Sequence, residues 1–114
     1  MPQGVHDKSA LAERTIEMIL APWASEEGKR ALFRNFRRLN PEYTQAVAGE
    51  LKHLRHPTLV MWATGDVFQK PHYAERLAET IPNAKLVWIE QAGHWLMEEK
   101  PDAVARELMR FLDD

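Results

Sequence analysis

The sequence predicts an α/β fold: a small parallel sheet with flanking helices, preceded by a helical N-terminal part. Three observations carry that expectation. Two apolar runs, Thr58–Trp62 and Lys85–Ile89, have the length and composition of strands covered on both faces. An amphipathic stretch separates them, and a second follows the later run. The resulting order of strand, helix, strand, helix demands parallel strands joined by a right-handed crossover.

The elements follow in order from local chemistry. Lys8 to Leu20 predicts a helix with apolar positions at Leu11, Ile16, Ile19 and Leu20, stopped by Ala21-Pro22. Ser25 is placed to cap the next helix, with Glu26 and Glu27 at its positive dipole end. Leu32, Phe33, Phe36 and Leu39 fall at helical spacing and predict its buried stripe. Asn40-Pro41, a cap followed by an N1 proline, restarts the chain for a short helix to about Leu51. The pattern changes at Pro57, so residues 1–54 read as a helical part and residues 55–114 as the βαβα part.

In that second part, Gly65-Asp66 ends the first strand and Pro71 opens a helix. Tyr73, Ala74, Leu77, Ala78 and Ile81 share one face of it, and Ile81-Pro82-Asn83 closes it. Pro101 sits at N1 of a last helix, whose predicted buried stripe is Val104, Leu108, Phe111 and Leu112. No internal repeat or low-complexity tract interrupts the chain.

Composition narrows the function classes. A chain of 114 residues is one domain at most, and 45% hydrophobic with 28% charged residues is ordinary globular usage. A net charge of -2 supplies no global drive toward nucleic acid or anionic membranes. Without cysteine there is no disulfide framework, thiolate nucleophile or cysteine zinc site. The opening MPQGVHDKSA lacks an apolar h-region, and no apolar run reaches membrane-spanning length. A cytoplasmic protein without membrane association is expected.

The chemistry concentrates in two loops. Asp66 follows the run PTLVMW and His94 follows KLVWI, in the segment QAGHW. Parallel strands about 4.8 Å apart bring the loops after them to one edge of the sheet, where open α/β folds place their ligands. A carboxylate there accepts a hydrogen bond from one ring nitrogen of the histidine, leaving the other free to take a proton from a hydroxyl or water. The 28-residue separation is what one helix and one strand consume, so spacing alone does not select this reading. Purely local roles fit the same residues: Asp66 turning the chain with Gly65, and His94 closing a loop after Gly93.

Two other patterns have simpler readings. Lys29, Arg30, Arg34, Arg37 and Arg38 interleave with Phe33 and Phe36, a nucleic-acid-like signal that an amphipathic helix with a solvated basic face also produces. His53 and His56 are three apart, yet Pro57 begins a strand at once and no third ligand is near, so no metal site is expected.

From Leu51 to Leu112 the segments PTLVMWATGDVF, YAERLAETIPNAKLV and QAGHWLMEEKPDAVARELMRFL resemble the C-terminal end of the α/β-hydrolase fold family. The resemblance implies that Asp66 is the triad acid and His94 the triad base. It also implies that Glu98 or Glu99, with Pro101, leads into the terminal helix as in the family pattern. Ala63 departs from the glycine that many members carry before the acid loop. Relatives such as haloalkane dehalogenases and epoxide hydrolases insert helices ahead of the acid strand as a cap. MILAPWASEEGKRALFRNFRRLNPEY resembles the end of such a cap, making residues 1–54 a cap remnant with Trp23 and Phe36 as lining candidates. Trp95, beside His94, is the expected substrate contact.

The family's nucleophile sits on a Gly-x-Ser-x-Gly elbow or an aspartate equivalent, and this chain has none. Ser9 and Ser25 lack flanking glycines, and the aspartates Asp7, Asp102, Asp113 and Asp114 occupy no strand-to-helix turn. The expectation is therefore the C-terminal portion of a hydrolase, inactive by itself. The parent reaction would hydrolyse an ester, alkyl halide or epoxide through a covalent intermediate, with water and no cofactor. A complementing N-terminal half, or self-association, is the expected partnership for a small-molecule enzyme of this kind. The alternative is a non-catalytic module that binds a protein or itself through an exposed strand edge.

Overall fold

A computed structural model describes residues 4–7, 9 and 12–113. The chain forms two compact units, Leu11–Gly49 and a second that joins Met1–Ala10 to Glu50–Asp114. The described residues before position 10 thus accompany the sheet, which corrects the undivided helical segment expected for residues 1–54. His6 N and Asp7 N donate to Glu99 Oε2, and Gly4 O accepts from His94 N, which holds them there.

The helical unit contains α1 (Glu13–Leu20), a 3₁₀ turn over Ala21–Trp23, α2 (Glu26–Arg37) and α3 (Pro41–Ala48). The expected start of the first helix at Lys8 and its apolar position Leu11 lie outside the described residues. Both predicted caps form. Ser25 Oγ accepts from Gly28 N at 3.0 Å, and Asn40 Oδ1 accepts from Glu42 N at 2.9 Å. The helix after Pro41 ends at Ala48 instead of Leu51, and a separate 3₁₀ turn spans Leu51–His53.

The stripe on α2 is not buried as expected: Leu32 is half-buried, while Phe33, Phe36 and Leu39 are exposed, Phe36 by 61%. Helical periodicity decides which residues share a face, whereas burial needs a partner surface. No residue of α1, α2 or α3 is buried, because three short helices present too few apolar atoms to shield one another.

The sheet unit contains β1 (Thr58–Ala63), α4 (His72–Thr80), β2 (Ala84–Ile89), a single-turn α5 (Leu96–Glu99) and α6 (Pro101–Asp113). β1 and β2 pair in parallel and run flush, from Thr58 opposite Ala84 to Ala63 opposite Ile89. They are the only strands among the described residues, so the second edge of β1 carries no strand partner there. α4 and α6 each pack against both strands. On one face of the pair, Ala63, Ile89 and Ala92 form a tight core with Met61, Val87, Leu96 and Ala103. Val60, on the alternate face of β1, is also buried, as are Ala74 of α4 and Ile81 after it.

The predicted stripe on α6 is again only half covered, with Val104 and Phe111 half-buried but Leu108 and Leu112 exposed. Tyr73, expected on the buried face of α4, is exposed as well. A two-stranded sheet is narrower than the helices laid on it, so the outer parts of each apolar face overhang. No helix among the described residues is long and apolar enough to cross a membrane.

Candidate active site

Because β1 and β2 end side by side, the loops that follow them leave from one edge of the sheet. The two loops are joined by backbone before any functional side chain is reached. Thr64 N donates to Ile89 O at 3.1 Å and Gly65 N donates to Ala92 O at 3.0 Å. Gly65 is required for this approach, since a Cβ there would stand 2.8 Å from Ala92 O. In the second loop Gln91 adopts a positive φ of 53°, a left-handed conformation that turns the chain toward Gly93.

Asp66 is buried, with 7% of its surface exposed. Its Oδ1 accepts the amides of Phe68 and Gln69, both at 2.9 Å, so the carboxylate is locked to its own loop. The same group lies against His94: Nδ1 is 2.9 Å from Oδ2 and 3.2 Å from Oδ1. A carboxylate offers only acceptors, so Nδ1 carries the proton and donates it, and in the neutral imidazole Nε2 then keeps its lone pair. Asp66 therefore performs the local turn role and the partner role together. Trp62 Nε1 donates to Gln69 O at 3.0 Å and braces the far side of the acid loop.

The two partners differ in access. The His94 side chain is 38% exposed beside its buried acid. Among the described residues Nε2 makes no hydrogen bond. Phe68 meets the imidazole edge-on, with ring centres 5.4 Å apart and planes at 85°. Trp95 stands at 6.4 Å and 87°. A base oriented by a buried carboxylate, walled by two aromatic rings and open at Nε2, is suited to taking a proton from a hydroxyl or water. Phe68 was not singled out by the sequence, because a loop residue falls in no period. Its position two residues after the acid was the one available signal.

The other candidate groups have local surroundings of their own. Ser9 Oγ donates to Asp7 Oδ1 at 2.6 Å, and Ser25 is occupied as a helix cap. His53 and His56 are exposed, and no group of three metal-ligating side chains exists among the described residues. Trp23 and Phe36 belong to the helical unit, the first half-buried and the second exposed.

Residues 2–107 match the model of the Alpha/beta hydrolase family. This chain belongs to that family. It is 30% identical over 112 residues to the uncharacterized hydrolase YugF of Bacillus subtilis (strain 168), covering 95% of this chain and 38% of the relative. It is 28% identical over 108 residues to a 2-hydroxy-6-oxononadienedioate/2-hydroxy-6-oxononatrienedioate hydrolase of Cupriavidus pinatubonensis (strain JMP 134 / LMG 1197), covering 95% of this chain and 37% of the relative. The crystal structure of an alpha/beta hydrolase fold protein from Burkholderia ambifaria aligns with a TM-score of 0.86 at 23% identity, over 95% of this chain and 39% of that one. This last likeness shows a shared fold. The alpha/beta hydrolase chain thus spans well under half the length of the relatives it matches.

Proposed function

We propose that this chain supplies the acid, Asp66, and the base, His94, of a nucleophile–histidine–aspartate triad. The observation that carries this reading is the 2.9 Å contact between His94 Nδ1 and Asp66 at the edge where both parallel strands end. The nucleophile comes from a part of the hydrolase outside these residues. His94 Nε2 takes the nucleophile's proton as it attacks the substrate and passes that proton to the leaving group. It then deprotonates the water that releases the covalent intermediate, and no cofactor takes part. Asp66 stabilises the imidazolium in each step.

A carbonyl substrate, an ester or an oxo acid, is favoured over an alkyl halide or epoxide because one relative is named a hydrolase of an oxo diacid. Trp95 and Phe68 form the wall nearest the base, and the helical unit acts as the remnant of a cap. A stand-alone interaction module gains no support from the family comparisons.

The test is complementation. Co-produced with the N-terminal portion of the Bacillus subtilis relative, the chain yields a complex that hydrolyses an activated ester such as p-nitrophenyl acetate. His94→Ala or Asp66→Asn lowers its kcat by about 10⁴-fold. A complex whose rate is unchanged by both substitutions would refute the assignment.

A further inference from the structure

Glu99 lies outside the Asp66–His94 pair, yet it is only 8% exposed and three backbone amides converge on its carboxylate. Gly93 N donates to Oε1 at 2.8 Å. His6 N donates to Oε2 at 2.8 Å and Asp7 N at 3.2 Å. Beside this bridge, His94 N donates directly to Gly4 O at 2.6 Å. Adjacent residues of the histidine loop are thus tied to one segment, Gly4–Asp7, once through a side chain and once through backbone.

Among the described residues Glu99 has no cationic partner, so the amide dipoles are what compensate its buried charge. The fit leaves no slack at Gly93, where a Cβ would collide with Gly4 O and stand 3.0 Å from His6 N. The short helix Leu96–Glu99 is what delivers the carboxylate back under the loop, its Glu99 N bonded to Trp95 O at 3.0 Å.

We propose that Glu99 is a positioning residue: it clamps the Gly93–His94 backbone against the Gly4–Asp7 segment so that the imidazole meets Asp66. The proposal rests on the reading of Asp66 and His94 as acid and base. Both carboxylate oxygens are needed, because the amides on either side are all donors. Glutamine keeps the shape but turns a donor toward one of the two sides, releasing that side.

The experiment reads the His94 ring in the ¹⁵N-labelled chain held in complex with the co-produced N-terminal portion of the Bacillus subtilis relative, without turnover. Long-range ¹H–¹⁵N spectra report which ring nitrogen holds the proton. The unaltered chain shows the Nδ1–H form with a downfield Nδ1 proton, and Asp66→Asn abolishes that signal. Glu99→Gln is expected to lose the downfield proton and shift the ring toward the Nε2–H form, while the β1 and β2 amide resonances stay in place. A folded Glu99→Gln chain that keeps the Nδ1 proton overturns the proposal and leaves the Asp66–His94 pairing standing. An unaltered chain without that proton refutes the pairing itself, and the proposal with it. Should Glu99→Gln fail to fold, hydrogen exchange in the unaltered chain decides. Joint protection of the Gly93, His6 and Asp7 amides supports the clamp, and exchange at open-loop rates at all three overturns it.

Discussion

Asp66 divides its oxygens between two tasks, the amides of Phe68 and Gln69 on one side and the His94 ring on the other. Substitutions separate them. Asp66→Ala removes the acceptor of two loop amides and is expected to cost about 1–3 kcal/mol in urea unfolding. Asp66→Asn keeps a carbonyl oxygen for those amides and costs less than the alanine, although its NH₂ then faces Nδ1. Equal destabilisation by both would show that the loop amides do not depend on this acceptor. Gly65 makes a different contribution, through the space it leaves. With Ala92 O only 2.8 Å from where a Cβ would stand, Gly65→Ala forces the two loops apart. An unfolding midpoint lowered by about 1–3 kcal/mol is expected, and an unchanged midpoint would show that the loops yield freely.

At the scale of elements, the helix starts were legible because capping is local chemistry. Ser25 and Asn40 each accept a backbone amide from two or three residues ahead, as side chains of that length do at a helix N-terminus. Ser25→Ala is expected to cost about 1 kcal/mol and to reduce far-ultraviolet helical signal on mild heating. An unchanged melting profile would mean that α2 does not limit the stability of its unit. The apolar stripes were legible as faces but not as buried surfaces. Phe33, Phe36 and Leu39 on α2, and Leu108 and Leu112 on α6, keep the predicted spacing and remain exposed. Spacing is a property of one helix, while burial belongs to two surfaces. The single turn Leu96–Glu99 was invisible, since four residues define no period.

For the molecule as a whole, the sheet is the weak point. β1 is an almost wholly apolar strand with β2 on one side and no described strand on the other. Such an edge pairs readily with another chain, and two strands bury little between them. Self-association or aggregation at low micromolar concentration is expected in sedimentation velocity, and co-production with a complementing N-terminal portion should suppress it. A monodisperse, cooperatively melting monomer would show that the edge is already covered. The isolated chain should also form no stoichiometric adduct with an activated ester. The hydroxyls of Ser9 and Ser25 are engaged with Asp7 and Gly28, far from any elbow geometry. An adduct detected by intact mass and removed by Ser9→Ala or Ser25→Ala would contradict this.

The sequence by itself determined the two strands, the crossover between them and the positions of Asp66 and His94 just past their ends. Each of these depends on a short run of neighbours: an apolar stretch, a Gly-Asp turn, an Ala-Gly-His loop. Tertiary structure decided the rest. It set the flush register that brings Asp66 and His94 to 2.9 Å, the edge-on approach of Phe68 and the incomplete cover over the helices. It also decided the role of Glu99, whose carboxylate reaches residues 92 and 93 positions away. Contacts of that range depend on how loops meet in space, and no local pattern of residues encodes where a distant backbone amide will point.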